Sequence, residues 1–305
     1  MTQIRSNLLD FFTEGKLPQL EAVIESKKES FPSMLQVLFN VQPMTTDIYQ
    51  TTTLSGLRNP RIKPEGVPVE FQTIQSGFPK TFTTLTYATA YRIAREMVRD
   101  GKENYIRRAT DSFAKGMFEV KEYRLASIFD DGFTVNGYDG TPLFSTTHPL
   151  ENGEGAVGVN RSAADTELSI TSFRELRNVM QSTVNEQGQL VRYNPKWFVV
   201  GQNLQDEAME ILKSQYNPEN ANNTVNTVYN YLSLLPGNYW PYLSSDTSFF
   251  MVGDKSDHNL MFLPRDPFET DSDYDKKAFA YEVIASERFS YGYSGWRGVV
   301  GNAGA

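Results

Sequence analysis

The sequence predicts an α+β fold, and three observations predict it. Residues 46–90 are Thr-rich, punctuated by Gly and Pro, and alternate in short runs, as extended strands do. Residues 103–129 then carry an apolar stripe at helical spacing. From residue 172 onward, short helical patterns and short apolar β-type runs take turns.

In order, residues 1–45 read as an arm. Two amphipathic pieces, Leu8–Phe12 and Leu20–Ile24, are separated by Gly15 and Pro18, and Phe31-Pro32 ends the second. Each is too short to bury a core alone, so the arm needs something else to pack against. Residues 46–90 read as a β-hairpin with a long excursion. Val67, Val69, Phe71 and Ile74 alternate, then Phe82, Leu85 and Tyr87, and the prolines suit edge strands. The main helical region is residues 91–129. Met97–Gly101 looks like a helix end, and Glu103–Phe129 carries Ile106, Ala109, Phe113, Met117, Val120 and Ala126 on one stripe. At 1.5 Å per residue that helix is about 40 Å long.

Residues 130–168 show turn pairs, Asp131-Gly132 and Asp139-Gly140, and little periodicity. Ser172–Glu175 matches a capping box opening a helix with Phe173, Leu176, Val179 and Met180 inward. Trp197–Val200 reads as a buried strand and Leu204–Ser214 as a helix. Thr224–Leu235, Ser248–Val252, Phe279–Ile284 and the segment from Phe289 read as further strands.

The 305 residues suit one large domain or two ordinary ones, and 39% hydrophobic with 22% charged residues marks a globular chain. Aromatic content is high, at 20 Phe, 16 Tyr and 3 Trp, which fits a Phe-rich core and ring-rich interfaces alike. The net charge of −8 argues against a protein whose main task is gripping nucleic acid, because phosphate neutralisation needs clustered cations. It is compatible with enclosing nucleic acid without sticking to it. The absence of Cys removes disulfides, thiolate metal sites and Cys nucleophiles, and suits a reducing cytoplasm. The first 17 residues mix acids into their apolar positions, unlike a signal peptide, and no apolar run is long enough to span a membrane.

Candidate chemistry is sparse. His148 precedes Pro149, which favours an extended backbone. Ser145 is near it, but no Gly-x-Ser-x-Gly elbow surrounds that serine, so a satisfied structural histidine is the expectation. Asp271, Asp273, Asp275 and Glu282 echo a calcium loop, yet Lys276 stands where that loop needs Gly, so an acidic solvated loop is expected. Glu119, Glu122, Asp130 and Asp131 read as an acidic helix end rather than a hydrolytic pair. Arg107, Arg108, Lys115, Lys121 and Arg124 alternate with acids along the helix, as on a solvated face or one offering ion pairs to a neighbour. No catalytic, cofactor-binding or metal-ligating residue is assigned.

Two segments carry a resemblance. Gly140-Thr-Pro142-Leu-Phe144-Ser-Thr-Thr-His148-Pro149 resembles a signature near the middle of the Mu-like phage major head subunits, the gpT family. Tyr291-Gly-Tyr-Ser-Gly-Trp296-Arg297 resembles that family's aromatic-Arg ending. The Asn194-Pro195 strand with Leu204–Ser214 adds a third match. The order of arm, hairpin, long helix, signature and α/β half is similar across most of the chain. The resemblance implies a Hong Kong 97-type capsid fold: arm (1–45), extended hairpin loop (46–90), peripheral domain with spine helix (91–184), axial domain (185–265) and a return to the peripheral domain (266–305).

It also implies a tailed-phage or prophage major capsid protein that is no enzyme. Hexamers and pentamers of this chain would build an icosahedral shell around double-stranded DNA. Scaffold, portal and decoration proteins are implied as further partners, without cofactor or membrane, and the virion capsid as location after assembly in the host cytoplasm. Arg107, Arg108, Arg124, Phe71 and Ile74 are the expected contacts between subunits. Two other readings fit parts of the sequence: an encapsulin-like compartment shell, and a soluble hydrolase using carboxylates.

Overall fold

The computed structural model describes residues 33–54, 60, 62–69, 71, 76–150, 157–216 and 225–305. The expected arm up to residue 32, and Ile74, lie outside the described residues. In chain order the described elements are α1 (Leu35–Leu38), β1 (Asn40–Val41), β2 (Ile48–Leu54), β3 (Ser76–Thr83), β4 (Leu85–Ala94), α2 (Arg95–Arg99) and α3 (Glu103–Asp130). Then come β5 (His148–Pro149), β6 (Val157–Gly158), α4 (Ile170–Gln181), β7 (Trp197–Val200) and α5 (Gln205–Lys213). The remainder is strand: β8 (Ser233–Leu234), β9 (Phe249–Val252), β10 (Leu260–Asp275), β11 (Ala280–Tyr293) and β12 (Val299–Asn302). The chain forms two compact units, one holding residues 84–123 and 264–290, the other 34–83, 124–263 and 291–305.

In the first unit, β10, β11 and β4 lie side by side in that order. β11 runs antiparallel to β4 from Ala280↔Ala94 to Phe289↔Leu85. Alternation puts Tyr87, Tyr91 and Ile93 on one face. Ile93 and Ile106 of α3 form a small core with Tyr91 and Tyr281, while Ala114 and Phe118 close on Phe268. The Tyr91 hydroxyl and the Thr110 hydroxyl, buried on the helix, bond at 2.7 Å. α3 runs 28 residues, about 42 Å of rise. Gly101, at φ +68°, takes the left-handed turn that separates it from α2.

In the second unit, four strands are ordered β12-β9-β7-β8. Residues from this sheet's two faces enter two different cores. Phe198, Val200, Phe249 and Met251 meet Phe173, Leu176 and Met180 of α4 and Ala208, Ile211 and Leu212 of α5. Phe250 faces the other way, into Phe129, Phe133 and Phe144. β2 and β3 form a separate antiparallel ribbon, irregular between Thr52 and Leu54. Its root residue Phe82 is buried with Met44 and Leu263.

Several sequence expectations are corrected. Residues 85–94 leave the hairpin and pair with β11, so the helical region starts at Arg95, not residue 91. The long helix keeps Ile106, Met117 and Ala126 buried, but Ala109, Phe113 and Val120 are half-exposed, and Thr110, Ala114, Phe118 and Leu125 fill the stripe. The capping box sits three residues earlier: Ser169 is the N-cap, its hydroxyl accepting from Ser172 N–H while Ser172 reaches back. The expected strand 224–235 reduces to Ser233–Leu234. Asn230 at φ +49° and the Asn226 side chain, which donates to Ile211 and Ser214 carbonyls, make turns of the rest. The expected acidic loop over 271–275 is the end of the 16-residue strand β10. Phe279–Ile284 and the segment from Phe289 are one strand, β11, with Phe279 in the preceding turn at φ +50°.

Candidate functional site

The two signature segments meet at His148. It lies on β5, which pairs with β6 through His148↔Gly158, and it is 1% exposed. Its Nδ1 is 2.6 Å from Asp139 Oδ2 and 2.9 Å from the Thr141 hydroxyl. Its Nε2 is 3.1 Å from both the Leu143 carbonyl and Asn160 Oδ1. Nδ1 thus faces a carboxylate and a hydroxyl, and Nε2 two carbonyl-type oxygens. Burial alone would raise the Asp139 pKa. The hydrogen bond and charge of His148, with bonds from Thr141, outweigh it and hold the carboxyl below its ordinary value.

Trp296 brings the second segment in. Its ring stacks on His148 at 4.5 Å with planes 4° apart, and the Arg297 guanidinium lies over it at 4.4 Å. Arg297 donates to the Val184 carbonyl at 2.8 Å and forms an ion pair with buried Glu186. Asn160 ties the segments through the backbone: its amide donates to the carbonyls of Leu143, Trp296 and Val299, and its Oδ1 accepts Ser145 N–H. Gly158 has no room for a side chain, since a Cβ would stand 2.2 Å from the Trp296 ring.

Each residue of the first segment has a place. Gly140 turns at φ +81°. Pro142 bridges to Asn136. Phe144, fully buried, joins Phe129, Phe133 and Phe250. Pro149 pairs with Val157. Tyr138 and Tyr293 meet edge-to-face at 6.1 Å. Burial raises the pKa of both, that of Tyr293 to about 12 with help from Asp139. Ser145 bonds Thr147 and does not face His148, so no serine–histidine couple forms. The hub is a dense hydrogen-bond network, suited to holding shape, in which Arg297 Nη2 is left without a hydrogen-bond partner.

The other candidates are elsewhere. Arg107, Arg108 and Arg124 are exposed on α3. Phe71 is 99% exposed, as is Ile62 at 97%. The helix-end acids do not act together: Glu122 is buried and accepts from the Ser33 hydroxyl at 2.6 Å, while Asp130 accepts the N–H groups of Ser244 and Ser245. Asp275 accepts two N–H groups of the turn after β10. A groove of about 440 Å³ runs between β4 and α3, lined by Thr86, Tyr87, Phe113, Gly116, Met117 and Val120. Sequence reasoning missed Asn160, Glu186 and Tyr138 and read Asp139 only as a turn residue. Nothing local marks them; the partners that place them in the hub are 9 to 155 residues away.

The sequence profile of a family described as phage capsid protein matches residues 78–302. No curated protein sequence matches the chain. Among solved structures, the capsid of bacteriophage JBD30 decorated with minor capsid protein trimers superposes with a TM-score of 0.55 at 15% identity, covering 73% of this chain and 98% of that one. The capsid of an empty GTA particle gives 0.53 at 12% identity, covering 88% and 89%. A virus-like particle from Pyrococcus furiosus gives 0.54 at 7% identity, covering 93% and 98%.

Proposed function

The chain belongs to the phage capsid protein family and has the Hong Kong 97-type fold, and from that premise we propose that it is a major head subunit of the Mu-like kind. In this reading, hexamers and pentamers of the chain close an icosahedral shell around double-stranded DNA. Assembly takes place in the host cytoplasm, with scaffold, portal and decoration proteins as partners. The family match over residues 78–302 supports the capsid reading, and the Gly140–Pro149 and Tyr291–Arg297 segments support the Mu-like one. It is supported by the shape of the chain's resources: a tightly closed hub, and beside it a hairpin with fully exposed apolar residues. Heterologous contacts between such reaching elements and a neighbour close into rings.

Within the shell we assign residues 1–45 to the arm, 46–90 to the extended loop, 91–184 and 266–305 to the peripheral domain and 185–265 to the axial domain. Arg107, Arg108, Arg124, Phe71 and Ile74 contact neighbours. The acidic net charge of −8 suits a container whose DNA must not adhere to its wall. The test is electron microscopy of the protein expressed alone and with its genomic neighbours. Shells or ordered sheets of hexamers are expected; a monomer at millimolar concentration across salt and pH, under both conditions, overturns the reading.

A further inference from the structure

The turn between β10 and β11 holds a strained residue beside an unpaired guanidinium. Asp275 Oδ1 accepts the N–H groups of Lys277 and Ala278, at 2.8 and 3.2 Å, and closes a tight turn. The chain then reaches Phe279 at φ +50°, in the left-handed region. Glycine or asparagine ordinarily occupies such a position, and the other non-glycine residues with positive φ among those described, Asn230 and Asn238, are asparagines. A phenylalanine there is strain held in place by its surroundings, and such strain points to use. Arg95 supplies the surroundings. Its backbone N–H donates to the Phe279 carbonyl at 3.0 Å, and its guanidinium lies over the Phe279 ring at 4.4 Å. Among the described residues that guanidinium makes no hydrogen bond or ion pair, and its Nε is buried without a partner. Arg99, four positions on and so on the same face of α2, and Lys276 and Lys277 in the turn also have no ion-pair partner among the described residues. Neighbouring carboxylates are engaged elsewhere: Glu282 holds Arg92 at 2.7 Å, Asp100 holds Lys102 at 3.8 Å, and Asp275 serves the turn. Glu96, exposed on α2, pairs with none of the four cations. Burial and Tyr274 raise the pKa of Tyr281, while Arg95 and Arg99 both oppose the rise, so the two guanidiniums act on one place.

We propose that this tip is a phosphodiester site: Arg95 and Arg99, with Lys276 and Lys277, take backbone phosphates of double-stranded DNA. A guanidinium stacked on a ring keeps its N–H edge free and fixed in direction, the arrangement that grips a phosphate by two hydrogen bonds. Phe279 is thus a positioning residue, since its ring sets the fork before the ligand arrives. A buried guanidinium nitrogen without an acceptor is unfavourable, and a phosphate oxygen relieves it. A lone carboxylate would engage one cation and leave the others, whereas phosphates repeated along a backbone engage them together. Residues 92–99 and 274–281 contain no Asn or Gln to read a base edge, so the contact is blind to sequence. On a chain of net charge −8 it is a point contact on a surface that otherwise repels DNA. The inference goes beyond the shell reading, which supplies only the source of the DNA.

The test is fluorescence anisotropy of a short labelled duplex of random sequence, titrated with dissociated subunit over a range of salt. Arg95→Gln with Arg99→Gln is expected to weaken binding on the order of tenfold and to lower the salt slope by about two. Arg192→Gln with Lys213→Gln removes the same charge from exposed positions of the other compact unit, and should leave affinity nearly unchanged. Phe279→Gly removes the ring and relieves the backbone, so affinity should fall while the urea midpoint does not. Equal losses in the two double variants would reduce the effect to overall charge and overturn the inference, as would unchanged binding by the Arg95, Arg99 variant. Polyglutamate competing as well as unlabelled duplex would assign the tip to a carboxylate partner and overturn it too. Electron microscopy separates the two readings. If the unsubstituted protein forms no shells yet its subunit loses DNA only with Arg95 and Arg99, the shell reading fails and the site stands. If shells form and the tip variants bind DNA as before, the site fails and the shell reading stands.

Discussion

The signature around His148 and the β2–β3 hairpin belong to the same compact unit, yet they are completed in opposite ways. Around His148 the partners are found inside the chain: a carboxylate, two carbonyl-type acceptors, an indole face and a crosslinking amide. Among its described residues the hairpin is buried only at its root, where Phe82 is 2% exposed, and farther out Ile62 and Phe71 stand almost fully in solvent. A satisfied polar core fixes one shape and asks nothing of a neighbour. A ribbon of β-prone residues without a second layer is marginal alone. Substitutions in the first region should therefore act on folding of the single chain, and those in the second on association.

Trp296→Ala should have the largest effect. It removes a fully buried ring, the stacking surface of His148 and the rest of Arg297. Truncation of a buried aromatic costs about 3–5 kcal/mol. Urea unfolding of the dissociated subunit should shift to a far lower midpoint, and shell formation should fail with it. A loss under about 1 kcal/mol would mean that the signature segments are held by something other than this hub.

Acid should act next, through the second histidine. His258 is 3% exposed, and burial lowers its pKa to about 4, with Asp254 opposing and Lys255 assisting. Its Nδ1 accepts Leu260 N–H, and the carbonyl of the same residue accepts from Asn40. Above about pH 6.5 neither folded nor unfolded chain binds the proton, so there is no effect. Below that the unfolded chain takes it and the folded chain refuses it until about pH 4. Stability thus falls as pH drops through this window, by roughly 3 kcal/mol in total. The depressed Asp139 adds its own loss at still lower pH, below the ordinary carboxylate range. Subunit unfolding followed from pH 7.5 to 4.5 should show the slope, and His258→Gln should flatten it. An equal slope in both proteins assigns the acid sensitivity to other groups.

Much of this architecture was legible in the sequence, for stated reasons. The long helix was, because apolar residues recur at helical spacing over many turns. β7 and α5 were, because Trp197–Val200 is continuous and apolar and Ala208, Ile211 and Leu212 share a face. β10 was not: its inward residues Phe268, Thr270 and Tyr274 are half-buried and its outward ones are Glu269, Asp271 and Asp273, residue types that strands usually avoid. The box at Ser169 was misplaced because Ser172 is as good a cap by type, and only the three-dimensional bond distinguishes them. Of the hub, the two segments were visible but their meeting was not, since no local pattern links Trp296 to a histidine 148 positions earlier.

The smallest effect on the single chain should come from Phe71, and it separates the two regions most sharply. With 99% of its surface in solvent, Phe71 buries nothing within its own chain. Surface changes of this kind alter stability by no more than about 0.5 kcal/mol. Phe71→Ser should therefore leave the urea midpoint of the subunit where it was. In the shell a ring of this size becomes a source of buried apolar area, at about 25 cal/mol per Å² removed from water, repeated at every subunit. Light scattering during assembly should show a higher critical concentration for Phe71→Ser than for the unsubstituted protein. Should the variant instead unfold more easily and assemble as well as before, the hairpin is completed within its own chain, and the contrast with the His148 hub disappears.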